Sequence, residues 1–164
     1  MRISWSKNRT LNYIIEVLLI FAVLAIFLFM FFWPVYTRGS SMEPTIADGD
    51  MLIVSRILGR SSGRGSLVLA QVADGNIVKR LVALPGDHVY IQGYYVKING
   101  AVFAVLPWAG ANIDLVLGYD EHFLLGDNLG ASIDSRHFGP ISQRQISGRI
   151  ILRYFPFRDF GIPE

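Results

Sequence analysis

Residues 77–105 read IVKRLVALPGDHVYIQGYYVKINGAVFAV, and this stretch decides the fold class. Short runs of β-branched and aromatic residues alternate with glycine and aspartate: Ile77 to Val82, Val89 to Ile91, Tyr95 to Ile98 and Val102 to Val105. Runs of that length, broken by turn formers, specify strands rather than helices. Asn99-Gly100 separates two of them, and because both central residues of a type I′ turn need positive φ, the dipeptide predicts a tight hairpin. The rhythm continues outward, at Met51 to Val54 and Leu67 to Gln71 on one side and at Phe123 to Leu125 and Arg149 to Phe155 on the other. Such spacing predicts an all-β domain. Arg60 to Gly65 (RSSGRG) reads as a flexible loop, and Trp108 to Gly118 as a longer connection without a clear period.

Upstream of the strands the chain changes character. Leu11 to Trp33 is almost wholly apolar and unbroken from Val17 onward; about 22 helical residues span roughly 33 Å, enough to cross a bilayer. This segment lifts the apolar fraction of the 164 residues to 52% and the mean hydropathy to +0.40. A cleaved export signal has a shorter apolar core, of about 7 to 15 residues, followed by a small-residue site, which is absent after Trp33; the pattern therefore predicts an uncleaved anchor. Glu16, near the start of the span, is read as interfacial. Arg2, Lys7 and Arg9 precede the span without an acidic residue among them, which predicts a cytoplasmic N-terminus and an extracytoplasmic remainder. Trp5, Tyr13, Trp33 and Tyr36 suit the two aromatic belts. The expected division is a cytoplasmic N-terminus over 1–10, a transmembrane anchor over 11–33 and an extracytoplasmic catalytic domain over 34–164.

Composition narrows the function. A net charge of +2, with no basic stripe interleaved with aromatics, gives no support for nucleic acid. With no cysteine, thiolate ligands, disulfides and a cysteine nucleophile are all excluded. His88, His122 and His137 show no zinc spacing and stand in no recognisable motif, so neither a metal nor a cofactor is expected, and none of the three presents itself as a catalytic base.

Two residues suggest chemistry. Ser41 lies in Gly39-Ser40-Ser41-Met42-Glu43-Pro44-Thr45, where glycine and proline impose a turn that displays a hydroxyl. Lys79 lies in Ile77-Val78-Lys79-Arg80-Leu81-Val82, where the period of two puts it on one face with Ile77 and Leu81. An ammonium buried among apolar side chains loses affinity for its proton and becomes a base near neutral pH. Read from the pattern alone, an ordinary loop serine and a lysine snorkelling to the surface remain open.

Ser41-Met42-Glu43-Pro44-Thr45 resembles the S-M-x-P-T box of signal peptidase I. Lys79-Arg80-Leu81-Val82-Ala83-Leu84-Pro85-Gly86-Asp87 resembles that family's lysine box, and Gly126-Asp127-Asn128 with Ser132-Ile133-Asp134-Ser135-Arg136 its C-terminal box. The three occur in the family's order behind an apolar anchor, and the likeness runs from about Leu11 to Gly139. It implies a mainly β catalytic domain, similar also to the self-cleaving repressors, in which Ser41 attacks the scissile carbonyl and Lys79 accepts its proton. It implies further that Ser132 orients the lysine amine, that Asp134 and Arg136 form a supporting ion pair, and that Gly126 to Asn128 shape the turn bringing Ser132 to Lys79.

The match departs at two places. Gly39 stands where many members carry a serine that donates its hydroxyl to the oxyanion, so Gly39, Ser40 and Ser41 form an oxyanion region in which a backbone N–H near Gly39, or a water, is expected to substitute. Leu129-Gly130 stands where the family often has charged residues, which predicts a differently arranged loop. Met42, Asn76, Ile77 and Val78 are the candidate substrate-binding residues: an open strand edge at 76–78 would let an extended signal peptide add as a strand, with small residues read at −1 and −3. The implied partners are signal-peptide-bearing preproteins, the lipid bilayer of the cell membrane and the secretion translocon. A processing peptidase dedicated to one secretion, conjugation or pilus system, and a non-catalytic assembly factor, remain as alternatives.

Overall fold

The computed structural model describes residues 5–59, 61–110 and 112–163, with side chains from residue 9 onward. Arg2, the side chains of Trp5 and Lys7, and Arg60 lie outside the described residues. Helix α1 (Trp5–Phe31) carries exposed apolar side chains on every face, and its Arg9–Phe31 segment has a mean hydropathy of 3.0 and none of it buried. A helix apolar all round and covered by nothing has no preferred aqueous face. By length and composition it is able to cross a bilayer.

The helix ends at Phe31, two residues short of the expected end of the anchor. Pro34 supplies the reason, since its ring obstructs the carbonyl four residues earlier and drives the preceding residue into an extended conformation. Phe32 and Trp33 therefore open strand β1 (Phe32–Tyr36).

The remaining elements are β2 (Met51–Ser55), α2 (Arg56–Gly59), β3 (Leu67–Val72), β4 (Gly75–Ala83), β5 (His88–Gln92), β6 (Tyr95–Ile98), β7 (Ala101–Val105), β8 (Ile113–Val116), β9 (Glu121–Leu125), α3 (Ser135–Phe138), β10 (Ile141–Ser142) and β11 (Ile146–Phe155). The fold is mainly β behind one N-terminal apolar helix, as expected. Asn99 and Gly100 have φ of 52° and 81° and join β6 to β7 at the expected hairpin. Strand β8 lies inside the segment read as an irregular connection. Its four residues turn Ile113 and Leu115 inward and Asp114 and Val116 outward, a period-two pattern too short to register before β5 is available to pair with it.

Two sheets result. One has seven strands in the order β1-β2-β11-β3-β4-β9-β10, and the other four in the order β7-β6-β5-β8. Val82, Ala83, Phe123 and Leu125 of the larger sheet join Val89, Ile91, Val96 and Ile98 of the smaller in one buried cluster. A second cluster, of Met42, Ile46, Leu52, Val54, Leu67, Leu69 and Ile150, lies beneath the turn that carries Ser41. Strand β4 links the two regions. It pairs with β3 from Gly75 to Arg80, but β9 covers its other edge only at Arg80, Leu81 and Ala83. The 75–79 half of β4 is thus unpaired on one side among the described residues.

Candidate active site

Lys79 is the last residue of that open half. It stands opposite the buried Val68 in β3 and is itself 3% exposed. Its amine donates to Ser41 Oγ at 2.5 Å. Burial pushes the Lys79 pKa below the usual lysine value; the carboxylates of Asp134 and Asp127 offset part of this, and the Arg136 guanidinium adds to it. A desolvated amine in contact with a hydroxyl is the arrangement in which lysine accepts a serine proton. None of the histidines takes that place: His88 pairs with Asp114, His137 Nδ1 accepts the Asp134 N–H, and His122 is buried with Nδ1 lacking a partner among the described residues.

Ser41 is held by its backbone. Asn128 N–H donates to Ser41 O at 3.1 Å, and Asp127 binds Arg80 in a two-pronged pair at 2.7 and 2.6 Å. The 126–128 turn therefore grips the residue after the lysine and the main chain of the serine together. Gly126 is required by close approach: a Cβ there would lie 2.2 Å from Ser132 Oγ and 2.4 Å from Ser41 O. Ser132 is buried beside this contact. Its hydroxyl lies near enough to the Asp134 carboxylate to help keep it ionised but makes no hydrogen bond to Lys79, so the structure brings Ser132 to the site without the expected contact to the amine.

Asp134 and Arg136 form the expected pair. Arg136 donates Nε to Oδ1 and an Nη to Oδ2, each at 2.8 Å, and also reaches Ser132 O at 3.2 Å. Asp134 is fully buried and accepts the Gly126 N–H at 3.0 Å. Burial would raise its pKa, but Arg136 and the Gly126 N–H outweigh that and hold the carboxyl below its usual value. Leu129, where charge is common in the family, packs partly buried against the apolar cluster of the smaller sheet, so the loop is fastened by apolar contact.

Of the three N–H groups in the expected oxyanion region, Gly39 to Ser41, one is engaged among the described residues. The Gly39 N–H already donates to Asp48 Oδ1 at 2.7 Å and is not free to receive an oxyanion. Gly39 has φ of 86°, where a serine would be strained, so the missing family hydroxyl goes with the geometry of this turn. The Ser40 and Ser41 N–H groups donate to no acceptor among the described residues. Two other supports escaped the sequence reading. Asp48 has no local signature. Arg153 binds Asp50 Oδ2 and Thr45 O, both at 3.0 Å, and Asp159 O at 2.7 Å, tying the nucleophile loop to partners that only the fold brings near.

A groove of about 400 Å³ runs past the pair. Asn76, Ile77, Val78 and Lys79 line one side and Trp33 to Gly39 the other, with Met42, Ile46 and Leu69 also contributing. All four expected substrate-binding residues thus meet in one cleft. Met42 is 4% exposed and chiefly a core residue.

The chain is similar to known proteins over most of its length. The family model described as signal peptidase, peptidase S26, matches residues 10–155. Signal peptidase IB of Staphylococcus aureus strain Mu50 is 29% identical, over 94% of each chain. A probable signal peptidase I-2 of Synechocystis sp. is 30% identical, over 77% of this chain and 65% of that one. A crystal structure of a signal peptidase I from Enterococcus faecalis V583 aligns with 54% of this chain and 95% of its own, at 22% identity and a TM-score of 0.45. The chain belongs to the signal peptidase family of serine endopeptidases, peptidase S26.

Proposed function

We propose that this chain is a membrane-anchored signal peptidase in which Ser41 is the nucleophile and Lys79 the general base. The observation that carries the reading is the 2.5 Å contact between the buried Lys79 amine and Ser41 Oγ at the head of an open groove. An extended signal peptide adds to the unpaired edge of β4 and lies against the wall formed by Trp33 to Gly39. Side chains two apart in an extended peptide point the same way, so the residues at −1 and −3 face the apolar floor near Met42, Leu69 and Val78 together. A floor already filled by core side chains favours small residues, the A-x-A pattern.

Neutral Lys79 takes the Ser41 proton as Oγ attacks the scissile carbonyl, and the Ser41 N–H, with Ser40 N–H beside it, faces the developing oxyanion. The resulting ammonium returns its proton to the leaving amine. Water then attacks the acyl-enzyme with Lys79 again as base. Ser132, Asp134 and Arg136 hold the lysine and the turn rather than touch substrate. Helix α1 crosses the cell membrane with its N-terminus in the cytoplasm, as Arg2, Lys7 and Arg9 favour, leaving the catalytic domain outside beside the translocon. Holding enzyme and preprotein in one bilayer raises their effective concentration.

The test is cleavage of an A-x-A preprotein by the full chain in lipid, with Ser41→Ala and Lys79→Ala. Loss of the nucleophile should abolish the mature product, and loss of the base should lower kcat by about 10² to 10⁴. Cleavage surviving Ser41→Ala, or undiminished in Lys79→Ala, would overturn the assignment.

A further inference from the structure

The point where the chain leaves α1 carries a second feature. Phe32, the first residue after the helix, stands abreast of Ser55 in β2, and Ser55 abreast of Arg149 in β11. Arg56 follows Ser55 directly and opens the short helix α2, on which Ile57 and Leu58 are 56% and 40% exposed. The Arg56 guanidinium lies 4.8 Å from the centroid of the Trp33 ring. A cavity of about 530 Å³ continues from it, lined by Arg56, Asp120, Gln143, Arg144, Ile146 and Ser147. Among the described residues Arg56, Arg144 and Arg149 have no ion-pair partner, whereas Arg64, Arg80, Arg136, Arg153 and Arg158 each bind a carboxylate.

Distance decides what this cluster meets. The Arg9–Phe31 segment is about 34 Å long and fills a hydrocarbon core of about 30 Å, so Phe32 emerges at the headgroups, a layer roughly 5 to 8 Å deep on each side. Neighbouring strands are about 4.8 Å apart, which keeps Ser55 and Arg56 within that layer. A guanidinium stacked on one aromatic face keeps its in-plane N–H groups free for two-pronged contact with a phosphate. Ile57 and Leu58 beside it present apolar surface at the depth where acyl chains begin.

We infer that Arg56 and Arg144, with Trp33, Ile57 and Leu58, form a seat for the phosphate of an anionic phospholipid in the leaflet next to the catalytic domain. The inference rests on α1 spanning the membrane. Trp33 is shared, since it also lines the substrate groove. An occupied seat therefore sets the tilt of the domain on the bilayer and holds the mouth of the groove at the surface where a signal peptide emerges.

The experiment uses the full chain reconstituted in vesicles of phosphatidylcholine alone or with one-third phosphatidylglycerol. It reads resistance to alkaline carbonate extraction, phosphatidylglycerol retained in native mass spectra, and cleavage of a membrane-inserted preprotein. Wild type should retain phosphatidylglycerol over phosphatidylcholine and cleave faster when it is present. Arg56→Gln with Arg144→Gln should lose both effects by about fivefold for each arginine, while Arg56→Lys with Arg144→Lys, which keeps the charge but not the stacked two-pronged contact, should fall between it and wild type. An unchanged rate on a short soluble peptide in detergent identifies the Gln variant as folded. No phosphatidylglycerol preference in wild type, full preference in the Gln variant, or the same stimulation from inorganic phosphate in phosphatidylcholine vesicles would overturn the seat alone. Extraction of the wild type by carbonate would overturn the membrane span and the seat together.

Discussion

The two halves of β4 are one strand with opposite surroundings. From Arg80 to Ala83 it is covered by β9, while β3 and the Gly65–Ser66 segment bond its other edge only as far as Leu81, and Val82 and Ala83 feed the core shared by the two sheets. From Gly75 to Lys79 it is bonded on one side only and borders a groove. The difference is made by β9, whose ladder stops at Leu125; the next residue, Gly126, donates its N–H to Asp134 Oδ2 instead. Lys79 sits at this boundary. The closed half fixes its backbone and the open half gives its amine access to Ser41, so a single strand supplies both the rigidity and the exposure that a buried base needs. Moving the boundary should damage catalysis more than altering either half alone.

The largest effect is expected at Asp134, which ends the β9 ladder. Asp134→Asn leaves Arg136 as a buried cation without a counter-charge, a change that costs about 3 to 5 kcal/mol and is read as a drop in the midpoint of urea unfolding. A catalytic signature accompanies it. The Asp134 carboxylate raises the Lys79 pKa, so its loss lowers that pKa further. As the proposed base Lys79 would act when neutral; the rising acid limb of kcat/KM should therefore move to lower pH. A limb that moves upward, or stays in place, would show that Lys79 does not feel Asp134. The stability effect has its own pH dependence. Because the folded-state pKa of Asp134 lies below its ordinary value, its contribution is complete above that value and disappears as pH falls through the folded pKa. Wild type and variant should converge in acid.

Gly126→Ala comes next. The new methyl would meet Ser132 Oγ at 2.2 Å and Ser41 O at 2.4 Å, and the second of these is backbone, which gives way only by moving the nucleophile. A displacement near 1 Å at a reacting atom costs about 10²-fold. The loss should appear in kcat with KM little changed, because the groove floor and the open edge of β4 are untouched. An equal loss in KM would place the damage in the groove instead.

How much of this was legible depends on how local the signal is. The strands around Lys79 were readable because alternation and the Asn99-Gly100 turn are short-range codes, and the N-terminal apolar helix because hydropathy over twenty residues is hard to mistake. The Ser41 and Lys79 pair came from box-like segments whose meaning lies in their order along the chain. Strand β8 was not readable, because Ile113 to Val116 becomes a strand through pairing with β5. The helix stops at Phe31, inside the apolar run, for a local reason, as Pro34 outweighs the two aromatic residues before it. The supports of the site were the least legible. Arg153 meets Asp50, and Arg80 meets Asp127, across distances in sequence that no motif spans. The engagement of the Gly39 N–H was hidden for the same reason, since nothing in the sequence marks Asp48 as its acceptor.

Asp48 therefore offers the finest test of the comparison, on the wall facing the open half of β4. Its carboxylate holds Gly39 in a left-handed conformation two residues before the nucleophile. A hydrogen bond to a charged acceptor contributes about 1.5 to 3 kcal/mol when sheltered, and this exposed one about 1 kcal/mol, roughly fivefold in rate. Asp48→Ala should lower kcat by about that factor by loosening the turn that aims the Ser41 N–H, whereas Asp48→Asn keeps an acceptor and should stay within about twofold. If instead the carboxylate restrains an N–H better used on the oxyanion, Asp48→Ala would raise kcat. The sign of that single measurement decides whether Gly39 is part of the wall or a donor held in reserve.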